Sequence, residues 1–359
     1  MAQQSQGVLA DFRSDTVTRP CKAMYEAIPY AKLGDDVLEG DPTVMELEAE
    51  AAEMLGKEAA LFMPTGTMAN LAAIMTHASG PGSSPFMEMI CGDRQHTYLY
   101  EVGNVSRIAG VQSAVLPNED DGTIKLEAIE NAIRIDDVHY PTTRAILLEN
   151  THNTCGGVPL PASYVDDVGV IAKRNKLALH VDGARIFNAA TALDTPASRL
   201  CKAADTVSFC LSKGLGSPAG SVLVGPKDFI KQARRVRKGL GGGMRQAGVL
   251  AACGLVALRV NSKRLAEDHE AAQLLVRGLA EMPQISVDPA KVKTNIFFFD
   301  VADNKGEELC EVLKRDHNIL IGAYSTTKVR GVTHLDTPPS VVPKVLDAFR
   351  SSLRTVFGA

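Results

Sequence analysis

The stretch TVSFCLSKG, residues 206–214, is an apolar run that ends at a Ser-Lys pair. The stretch LALHVDGAR, residues 177–185, has the same form, with Asp182 where its apolar run ends. Continuous apolar runs of this length are typical of strands that helices cover on both faces. Because the carboxyl ends of parallel strands meet at one edge of a sheet, we expect Asp182 and Lys213 to lie close together.

Other short apolar runs have a similar length and are separated by segments with helical spacing. The runs are KEAALFM (57–63), MEMIC (87–91), RAILLEN (144–150) and SVLVG (221–225), and the helical segments are 43–55, 68–78, 124–135 and 163–175. Such alternation is typical of an α/β fold with a mostly parallel central sheet. We therefore predict this sheet as the core of a large domain.

The character of the sequence changes after a long predicted helical stretch, residues 244–280. Three further strand-like segments alternate with two predicted helices, which indicates a small C-terminal α+β domain: TNIFFFDV (294–301), 306–316, ILIGAY (319–324), KVRGVTH (328–334) and 339–356. A chain of 359 residues is long enough for two domains. We place an N-terminal arm at 1–29, the large domain at 30–262 and the small domain at 263–359.

Composition and charge narrow the class of protein. The formal net charge of −4 and the pI near 6.1 do not favour nucleic acid or an anionic membrane as a partner. The N-terminal segment lacks the pattern of a signal peptide, and no apolar stretch reaches the roughly 20 residues that span a bilayer. The seven cysteines are scattered, without a C-x-x-C pair or a metal-binding spacing. We expect reduced thiols, a cytoplasmic location and no metal site.

A lysine and an aspartate at one sheet edge point to a particular cofactor. Pyridoxal 5′-phosphate (PLP) needs an amine with which it forms an imine, and Lys213 supplies one. It also needs an acid beside its ring nitrogen, and an ionised Asp182 would keep that nitrogen protonated. The pair therefore indicates a PLP site.

Three further features fit a cofactor that carries phosphate and a substrate that carries a carboxylate. Thr65, Gly66 and Thr67 precede a predicted helix, and the free N–H groups at a helix start can bind phosphate. Ser212 is suited to donate to the same phosphate. Arg185 is suited to hold a substrate carboxylate through two parallel hydrogen bonds.

Each feature taken alone has a structural explanation. Lys213 fits a surface turn, and a Gly-Thr pair before a helix is commonly a cap. Asp182 fits a helix N-cap or a turn, and Arg185 fits a surface ion pair. The combination, rather than any single residue, favours the cofactor.

The glycine-rich run KGLGGGMRQAG, residues 238–248, looks at first like a dinucleotide-binding loop. A dinucleotide fingerprint follows a strand, whereas this run follows a basic helical stretch, 226–238. We predict a tight loop from which Arg245 projects toward an anion.

The order of several longer motifs resembles one family of enzymes. The motifs are FRSDTVTRP (12–20), GDDVLEGDPT (34–43), EAALFMPTGTMANL (58–71), ENTHN (149–153), HVDGARIFNA (180–189), SFCLSKGLGSPAGSVLVG (208–225), KGLGGGMRQAGVLAA (238–252) and KVRGVTHLD (328–336). Together they resemble the low-specificity L-threonine aldolases. This resemblance implies a fold type I PLP-dependent enzyme, with an aspartate aminotransferase-like large domain.

The resemblance implies a set of residues around the cofactor and the substrate. Those expected at the cofactor are Lys213 (covalent bond), Asp182 (ring nitrogen), His96 (stacking on the ring), Thr65, Gly66, Thr67 and Ser212 (phosphate), Arg185, and Arg245 (phosphate region of a neighbouring subunit). Those expected at the substrate are Ser14, Arg185 and Arg330 (carboxylate) and His152 (β-hydroxyl). A homotetramer with active sites shared between subunits is implied as well.

The implied reaction is retro-aldol cleavage of L-threonine or L-allo-threonine to glycine and acetaldehyde. His152 is the candidate base, directly or through a water molecule, and a phosphate oxygen or water is the alternative. His96 is expected to stack and to sense the configuration at the β-carbon. Many family members have Tyr after GDDV, where this chain has Leu38, and this departure bears on substrate preference.

Other functions share parts of this pattern. Transamination and β-elimination use the same Asp-Lys pair and carboxylate clamp, so the residues do not separate them from the aldolase. A PLP-binding regulator would need a DNA-binding module, for which an arm of 29 residues is too short. A purely structural α/β protein leaves the Asp182, Arg185 and Lys213 combination unexplained.

Overall fold

The strands form one large sheet, one small sheet and one short pair. The computed structural model describes residues 7–38, 40–79 and 85–358, so the first six residues of the predicted arm and Glu39 of the GDDVLEGDPT motif lie outside the described residues. The strands in the described ranges are β1 (Ala10–Asp11), β2 (Ala59–Met63), β3 (Met87–Gly92), β4 (Val111–Leu116), β5 (Thr142–Glu149), β6 (Ala178–Asp182), β7 (Thr206–Cys210), β8 (Ser221–Gly225), β9 (Ile285–Ser286), β10 (Ile296–Val301), β11 (Ile319–Leu320), β12 (Gly322–Ala323) and β13 (Lys328–Val332).

Helices alternate with most of these strands. In the same ranges they are α1 (Lys22–Ala27), α2 (Pro42–Leu55), α3 (Gly66–Ala78), α4 (His96–Leu99), α5 (Asn104–Arg107), α6 (Leu126–Ala132), α7 (Ala162–Arg174), α8 (Ile186–Ala192), α9 (Ala197–Leu200), α10 (Lys227–Gly239), α11 (Gly248–Arg259), α12 (Leu265–Ala280), α13 (Gly306–His317) and α14 (Val342–Phe357).

The large sheet has the order β2-β8-β7-β6-β5-β3-β4. Strand β8 runs antiparallel to both of its neighbours, and the other adjacent pairs are parallel. Every residue of β7 and β8 is buried, as expected for strands that helices cover on both faces. The predicted α/β fold with a mostly parallel central sheet is confirmed.

Two helices begin within two residues of the predicted positions, α2 at Pro42 and α3 at Gly66, and the structure shows what fixes each start. Asp41 caps α2 by accepting hydrogen bonds from the backbone N–H groups of Thr43 and Val44, at 3.0 and 3.2 Å. Thr65 caps α3 in the same way, through a 3.1 Å bond from Met68 N. Capping therefore fixes the start of α3, which lies at the edge of the sheet that carries the predicted site.

Strand β4 is a finding that the sequence pattern did not predict. It pairs with β3 at the edge of the large sheet, and most of its residues are only partly buried. An edge position tolerates polar residues such as Gln112 and Ser113, so the apolar run is interrupted. The strand was missed for this reason.

The predicted helical stretch 244–280 is interrupted. Helix α11 ends at Arg259, a short 3₁₀ turn follows at Asn261–Lys263, and α12 begins at Leu265. At the break, the side chain of Asn261 donates to the backbone carbonyl of Leu215, 2.8 Å away, instead of facing solvent. The predicted domain boundary at residue 262 coincides with this break and stays a prediction.

The arm and the C-terminal segment share a hydrophobic cluster. Strands β12, β13, β10 and β9 form an antiparallel sheet, and α12, α13 and α14 pack around its apolar residues. Strand β1 pairs in parallel with β11, and Phe12 is buried in the same cluster. Met24, further along the arm, belongs instead to the cluster around the large sheet. The arm therefore connects both parts of the molecule.

Candidate active site

A cavity of about 370 Å³ lies beyond the carboxyl ends of the parallel strands. This is the edge where α/β sheets commonly bind ligands. Its lining includes seven residues predicted from the sequence: Thr65, Gly66, Thr67, His96, Asp182, Ser212 and Lys213. It also includes residues that were not predicted, among them Thr16, Asn70, Glu101 and Cys210.

Strand order explains why Asp182 and Lys213 meet in this cavity. Asp182 is the last residue of β6 and pairs in register with Ser208 of the neighbouring parallel strand β7. Strand β7 ends at Cys210, and Lys213 follows three residues later. In the described part of the chain, no hydrogen bond or ion pair engages the Lys213 amine. The amine is therefore available to a ligand in the cavity.

The start of α3 fits a phosphate group. The N–H groups of Gly66 and Thr67 precede the first hydrogen bonds of the helix, and such groups bind anions. A β-carbon at position 66 would lie 2.8 Å from Cys210 Sγ, so glycine keeps this space open. The same point lies 3.5 Å from Ser221 Oγ, which is buried without a hydrogen-bond partner among the described residues. An anion at this position would supply that partner.

The Asp182 carboxylate is held on both of its oxygens. Oδ1 accepts from the backbone N–H of Ala184 at 3.1 Å, and Oδ2 accepts from Asn70 Nδ2 at 2.9 Å. The residue is buried but lines the cavity. A carboxylate fixed in this way can stabilise a positive charge inside the cavity.

His96 forms a pair with a buried acid. Its Nδ1 lies 2.9 Å from Oε1 of Glu101, and its backbone N–H donates to Glu149 Oε2 at 2.6 Å. Burial alone lowers the pKa of His96, but the hydrogen bond to Glu101 and the charge of Asp182 outweigh burial and raise that pKa. With Glu101 ionised, Nδ1 carries the hydrogen, and Nε2 of a neutral ring is free to accept one.

The same three side chains lie close enough to resemble a cation site. One ligand atom each of His96, Glu101 and Asp182 lies within 4.8 Å of the others. Oε1 of Glu101 already accepts hydrogen bonds from His96 and from Asn70. The cluster is therefore explained by its internal hydrogen bonds, and the prediction of no metal site stays a prediction.

Arg185 has a partner that the sequence analysis did not foresee. Its Nε and Nη2 donate to the two carboxylate oxygens of Asp15, at 2.7 and 2.6 Å, and both residues are buried. Burial raises the pKa of Asp15, but the positive charges of Arg185, Lys213 and Arg330 together lower it well below its ordinary value. The carboxylate that Arg185 holds in this structure is thus Asp15, which leaves Nη1 for the predicted substrate contact.

Arg330, on β13, is held by neutral acceptors. Nη2 donates to Asn153 Oδ1 at 2.6 Å and Nη1 donates to the backbone carbonyl of Arg13 at 3.2 Å. Its Nε is buried without a partner among the described residues. Burial, and secondly the charge of Arg185, lower the pKa of Arg330 to about 10, so it remains charged at neutral pH. This guanidinium is suited to receive an anion.

Five predicted site residues lie outside the cavity lining: Ser14, Arg185, Arg330, His152 and Arg245. Ser14 caps a 3₁₀ turn by accepting from Thr16 N at 3.2 Å. His152 is completely buried, and both ring nitrogens lack a hydrogen-bond partner in the described structure. Arg245 is more than half exposed and pairs with Asp35 at 2.9 Å. The structure therefore does not bring His152 or Arg245 together with Lys213 in one protomer.

The residues that sequence reasoning missed are Asp15, Asn70, Glu101 and Ser221. Three of them lie within motifs quoted above, and Asn70 is one helical turn after Gly66, on the same face of α3. Glu101 follows His96 by five residues. The helical spacing was a usable signal for Asn70, whereas the partner of Asp15 is 170 residues away and leaves no local signal.

The sequence model of the beta-eliminating lyase family matches residues 11–302, which is most of the chain. The chain belongs to this family. The match includes every cavity residue named above and all of the large sheet. The fold type I architecture that the resemblance to the low-specificity L-threonine aldolases implied is therefore confirmed.

Curated relatives of this lyase cover nearly the whole chain. Low-specificity L-threonine aldolase 1 of Arabidopsis thaliana is 49% identical, over 96% of this chain and 97% of the relative. The low specificity L-threonine aldolase of Escherichia coli (strain K12) is 43% identical, over 96% of this chain and 99% of the relative. The lyase is thus an enzyme of the threonine aldolase type.

Solved structures support the fold of this lyase. Leishmania major threonine aldolase superposes with a TM-score of 0.79 over 97% of this chain and 99% of that chain, at 19% sequence identity.

Among the described helices, none has the length and apolar character required to cross a membrane.

Proposed function

We propose that the protein binds PLP through Lys213 and cleaves L-threonine, L-allo-threonine and related β-hydroxy-α-amino acids to glycine and an aldehyde. One observation carries the proposal: Lys213, Asp182, His96 and the start of α3 line a single cavity. The names of two relatives, each matched over 96% of the chain, support L-threonine as a substrate.

The residues of the cavity fit PLP. When bound, PLP supplies an aldehyde that links covalently to an amine and a protonated ring that takes up the electron pair released at the α-carbon. Lys213 provides the amine, and Asp182 holds the proton on the ring nitrogen by opposite charge. The N–H groups at the start of α3, with the hydroxyl groups of Ser212 and Ser221, bind the phosphate.

The substrate carboxylate binds at Arg330, with Arg185 beside it. Asp15 neutralises one of the two guanidinium groups, so the three residues together keep one positive charge for the substrate. Arg330 has an unused Nε and Arg185 an unused Nη1. A carboxylate held at two points has a fixed orientation, and this orientation selects which bond at the α-carbon is cleaved.

His96 is the side chain that accepts the β-hydroxyl proton in this proposal. Glu101 keeps the hydrogen of a neutral imidazole on Nδ1, so Nε2 is the acceptor toward the cavity. His152, the base expected from the sequence, is completely buried and does not line the cavity. We therefore move the proposed proton transfer from His152 to His96 Nε2.

Assembly into a homotetramer with shared active sites is part of the proposal. Arg245 pairs with Asp35 on the surface rather than in the cavity of its own protomer, and Leu38 beside it is 76% exposed. A charged residue next to an exposed apolar one is suited to a contact with a neighbouring subunit.

All seven cysteines are free, which supports a reducing compartment such as the cytoplasm.

The test is incubation of the purified protein and PLP with each threonine diastereomer, followed by measurement of acetaldehyde and glycine. We expect both products in equal amounts. Lys213→Ala should remove the covalent linkage and nearly all turnover, because among the described residues Lys213 is the lysine that lines the cavity. Borohydride reduction followed by peptide mapping locates the linkage directly.

Lys231→Ala is the matched control, since Lys231 is an exposed lysine on α10. It should keep full activity and the linkage at Lys213. Formation of an oxoacid in place of acetaldehyde would show that the protein catalyses transamination and not aldol cleavage. Labelling of a lysine other than Lys213 would contradict the assignment of the cavity.

A further inference from the structure

A single buried amide joins the two acids of the cavity. Asn70 Nδ2 donates to Oδ2 of Asp182 at 2.9 Å and to Oε1 of Glu101 at 2.9 Å. Asn70 is 2% exposed, so neither bond competes with bulk water. The acid beneath the proposed cofactor ring and the acid that holds His96 are therefore fixed to the same nitrogen atom.

The oxygen of this amide is held as firmly as the nitrogen. Oδ1 of Asn70 accepts from Ser208 Oγ at 2.6 Å and lies 3.3 Å from His180 Nε2. An amide group has two donor hydrogens and two acceptor lone pairs. All four are used here, so the orientation of the amide is determined, with its nitrogen toward Asp182 and Glu101.

Two buried histidines continue the chain of hydrogen bonds away from the cavity. His180 Nδ1 lies 2.9 Å from Thr206 Oγ1, and His77 Nε2 lies 2.8 Å from the same hydroxyl group. Burial lowers the pKa of His180 to about 4 and that of His77 to about 3, so both rings are neutral at neutral pH. A neutral His180 with its hydrogen on Nε2 donates to Asn70 and accepts from Thr206.

We propose that Asn70 is a positioning residue, which sets the Asp182 carboxylate and the Glu101–His96 pair in one fixed arrangement. The inference rests on the proposed function, because it assigns Asp182 to the cofactor ring and His96 to the substrate. Two carboxylates that face one point repel each other unless a donor lies between them. The Asn70 amide is that donor, and its own orientation is fixed from behind by Ser208 and His180.

Asn70→Asp tests this role, since it keeps the shape and Oδ1 but replaces the donor by an oxygen that faces Asp182 and Glu101. Burial and these two carboxylates, which hydrogen-bond the present amide nitrogen, should raise the pKa of the new acid, whereas the cations Lys213 and His96 make no hydrogen bond to position 70 among the described residues. Above that pKa we expect PLP to bind about tenfold more weakly or worse, the usual effect of losing a hydrogen bond to a charged group. As the pH falls, protonation restores a donor and the affinity should recover.

The measurement is the PLP dissociation constant of the wild-type apoprotein and of the variant across pH, together with the pH midpoint of the visible absorption of the bound cofactor. Asn70→Ala removes the donors without adding charge. It should weaken binding at every pH, without the recovery at low pH. Thermal unfolding curves show whether each variant is folded and how its melting temperature differs from that of the wild-type protein.

Asn118→Asp is the control, because Asn118 is a buried amide that bonds only the backbone of Arg94 and Gly122 in the described structure. It should change stability but not the pH dependence of PLP binding. Wild-type affinity in Asn70→Asp at every pH, or the same pH dependence in Asn118→Asp, would overturn the inference. Failure of the wild-type protein to bind PLP would instead refute the proposed function.

Discussion

At the scale of single residues, charge balance separates two arginines that look alike in sequence. Arg185 is neutralised by Asp15 through two short hydrogen bonds. Arg330 is held by the side-chain oxygen of Asn153 and the carbonyl of Arg13, neither of which carries a charge. The excess positive charge therefore lies with Arg330, although Arg185 is nearer in sequence to Asp182.

Arg330→Ala should raise the KM for L-threonine by about 10- to 100-fold, the size expected for a lost hydrogen bond to a charged group. The effect on kcat should be smaller, because the amine and the ring contacts remain. Steady-state kinetics over a range of threonine concentrations give both constants.

Arg350→Ala is suited as a control, since Arg350 is an exposed arginine on α14 that pairs with Asp347. Its KM should match that of the wild-type protein. If the KM of Arg330→Ala also stayed at the wild-type value, the carboxylate would have to bind elsewhere.

At the scale of elements, α3 performs two tasks on one face. Its first residue, Gly66, lines the cavity and keeps open the space beside Cys210, and Asn70, one turn later, holds Asp182. The helix also carries the small buried residues Ala69, Ala72 and Ala73, which pack in one cluster with apolar residues of β2 and β8. Small side chains let the helix approach the sheet closely, so its N-terminus reaches the cavity.

Gly66→Ala should weaken PLP binding by about tenfold or more, because the new methyl group would meet Cys210 Sγ at 2.8 Å and occupy space beside the phosphate. The stability of α3 should not fall with the PLP affinity, since alanine is favoured over glycine in helices by about 1 kcal/mol. Equilibrium titration with PLP and thermal unfolding measure the two effects separately.

Gly239→Ala provides the comparison, because Gly239 is at the end of α10 and its added β-carbon would meet nothing within 4 Å. Its PLP affinity should be unchanged. If the Gly66→Ala and wild-type proteins bound PLP with equal affinity, the assignment of the phosphate site to the start of α3 would be wrong.

At the scale of the whole molecule, the proposed substrate-carboxylate site combines three separate segments of the chain. Arg185 follows strand β6 and directly precedes α8, Arg330 lies in the C-terminal sheet, and Asp15 lies in the arm. The arm is attached to the C-terminal part by β1, by the 2.9 Å bond from Val332 N to the carbonyl of Phe12, and by the buried Phe12 ring. Its attachment positions Asp15.

Phe12→Ala should lower the free energy of unfolding by about 3–5 kcal/mol, the range for truncation of a buried phenylalanine. The ring contacts Phe297 edge-on, with centroids 6.5 Å apart, so the C-terminal cluster loses a partner. We also expect a higher KM for threonine, since Asp15 follows closely in the arm. Urea denaturation and steady-state kinetics check both results.

Phe86→Ala is a matched substitution at a phenylalanine that is 74% exposed. It should change stability by no more than about 0.5 kcal/mol, as surface substitutions usually do. A similar loss of stability in both variants would show that Phe12 does not anchor the arm.

The amino-acid sequence by itself determined the α/β class and the sheet edge at which Lys213, Asp182 and Gly66 meet. These features follow from local patterns, because an apolar run sets a strand and its last residue marks the edge. Motifs also identified His96, through resemblance rather than through physical pattern.

Only the tertiary structure decided which side chains hold these groups in place. The Asp15–Arg185 pair joins residues 170 positions apart, and the Asn70–Asp182 bond joins residues 112 positions apart. No local pattern encodes such pairs, because they depend on how whole elements pack. The burial of His152 and the break between α11 and α12 have the same origin: each depends on atoms that the fold brings from distant parts of the chain.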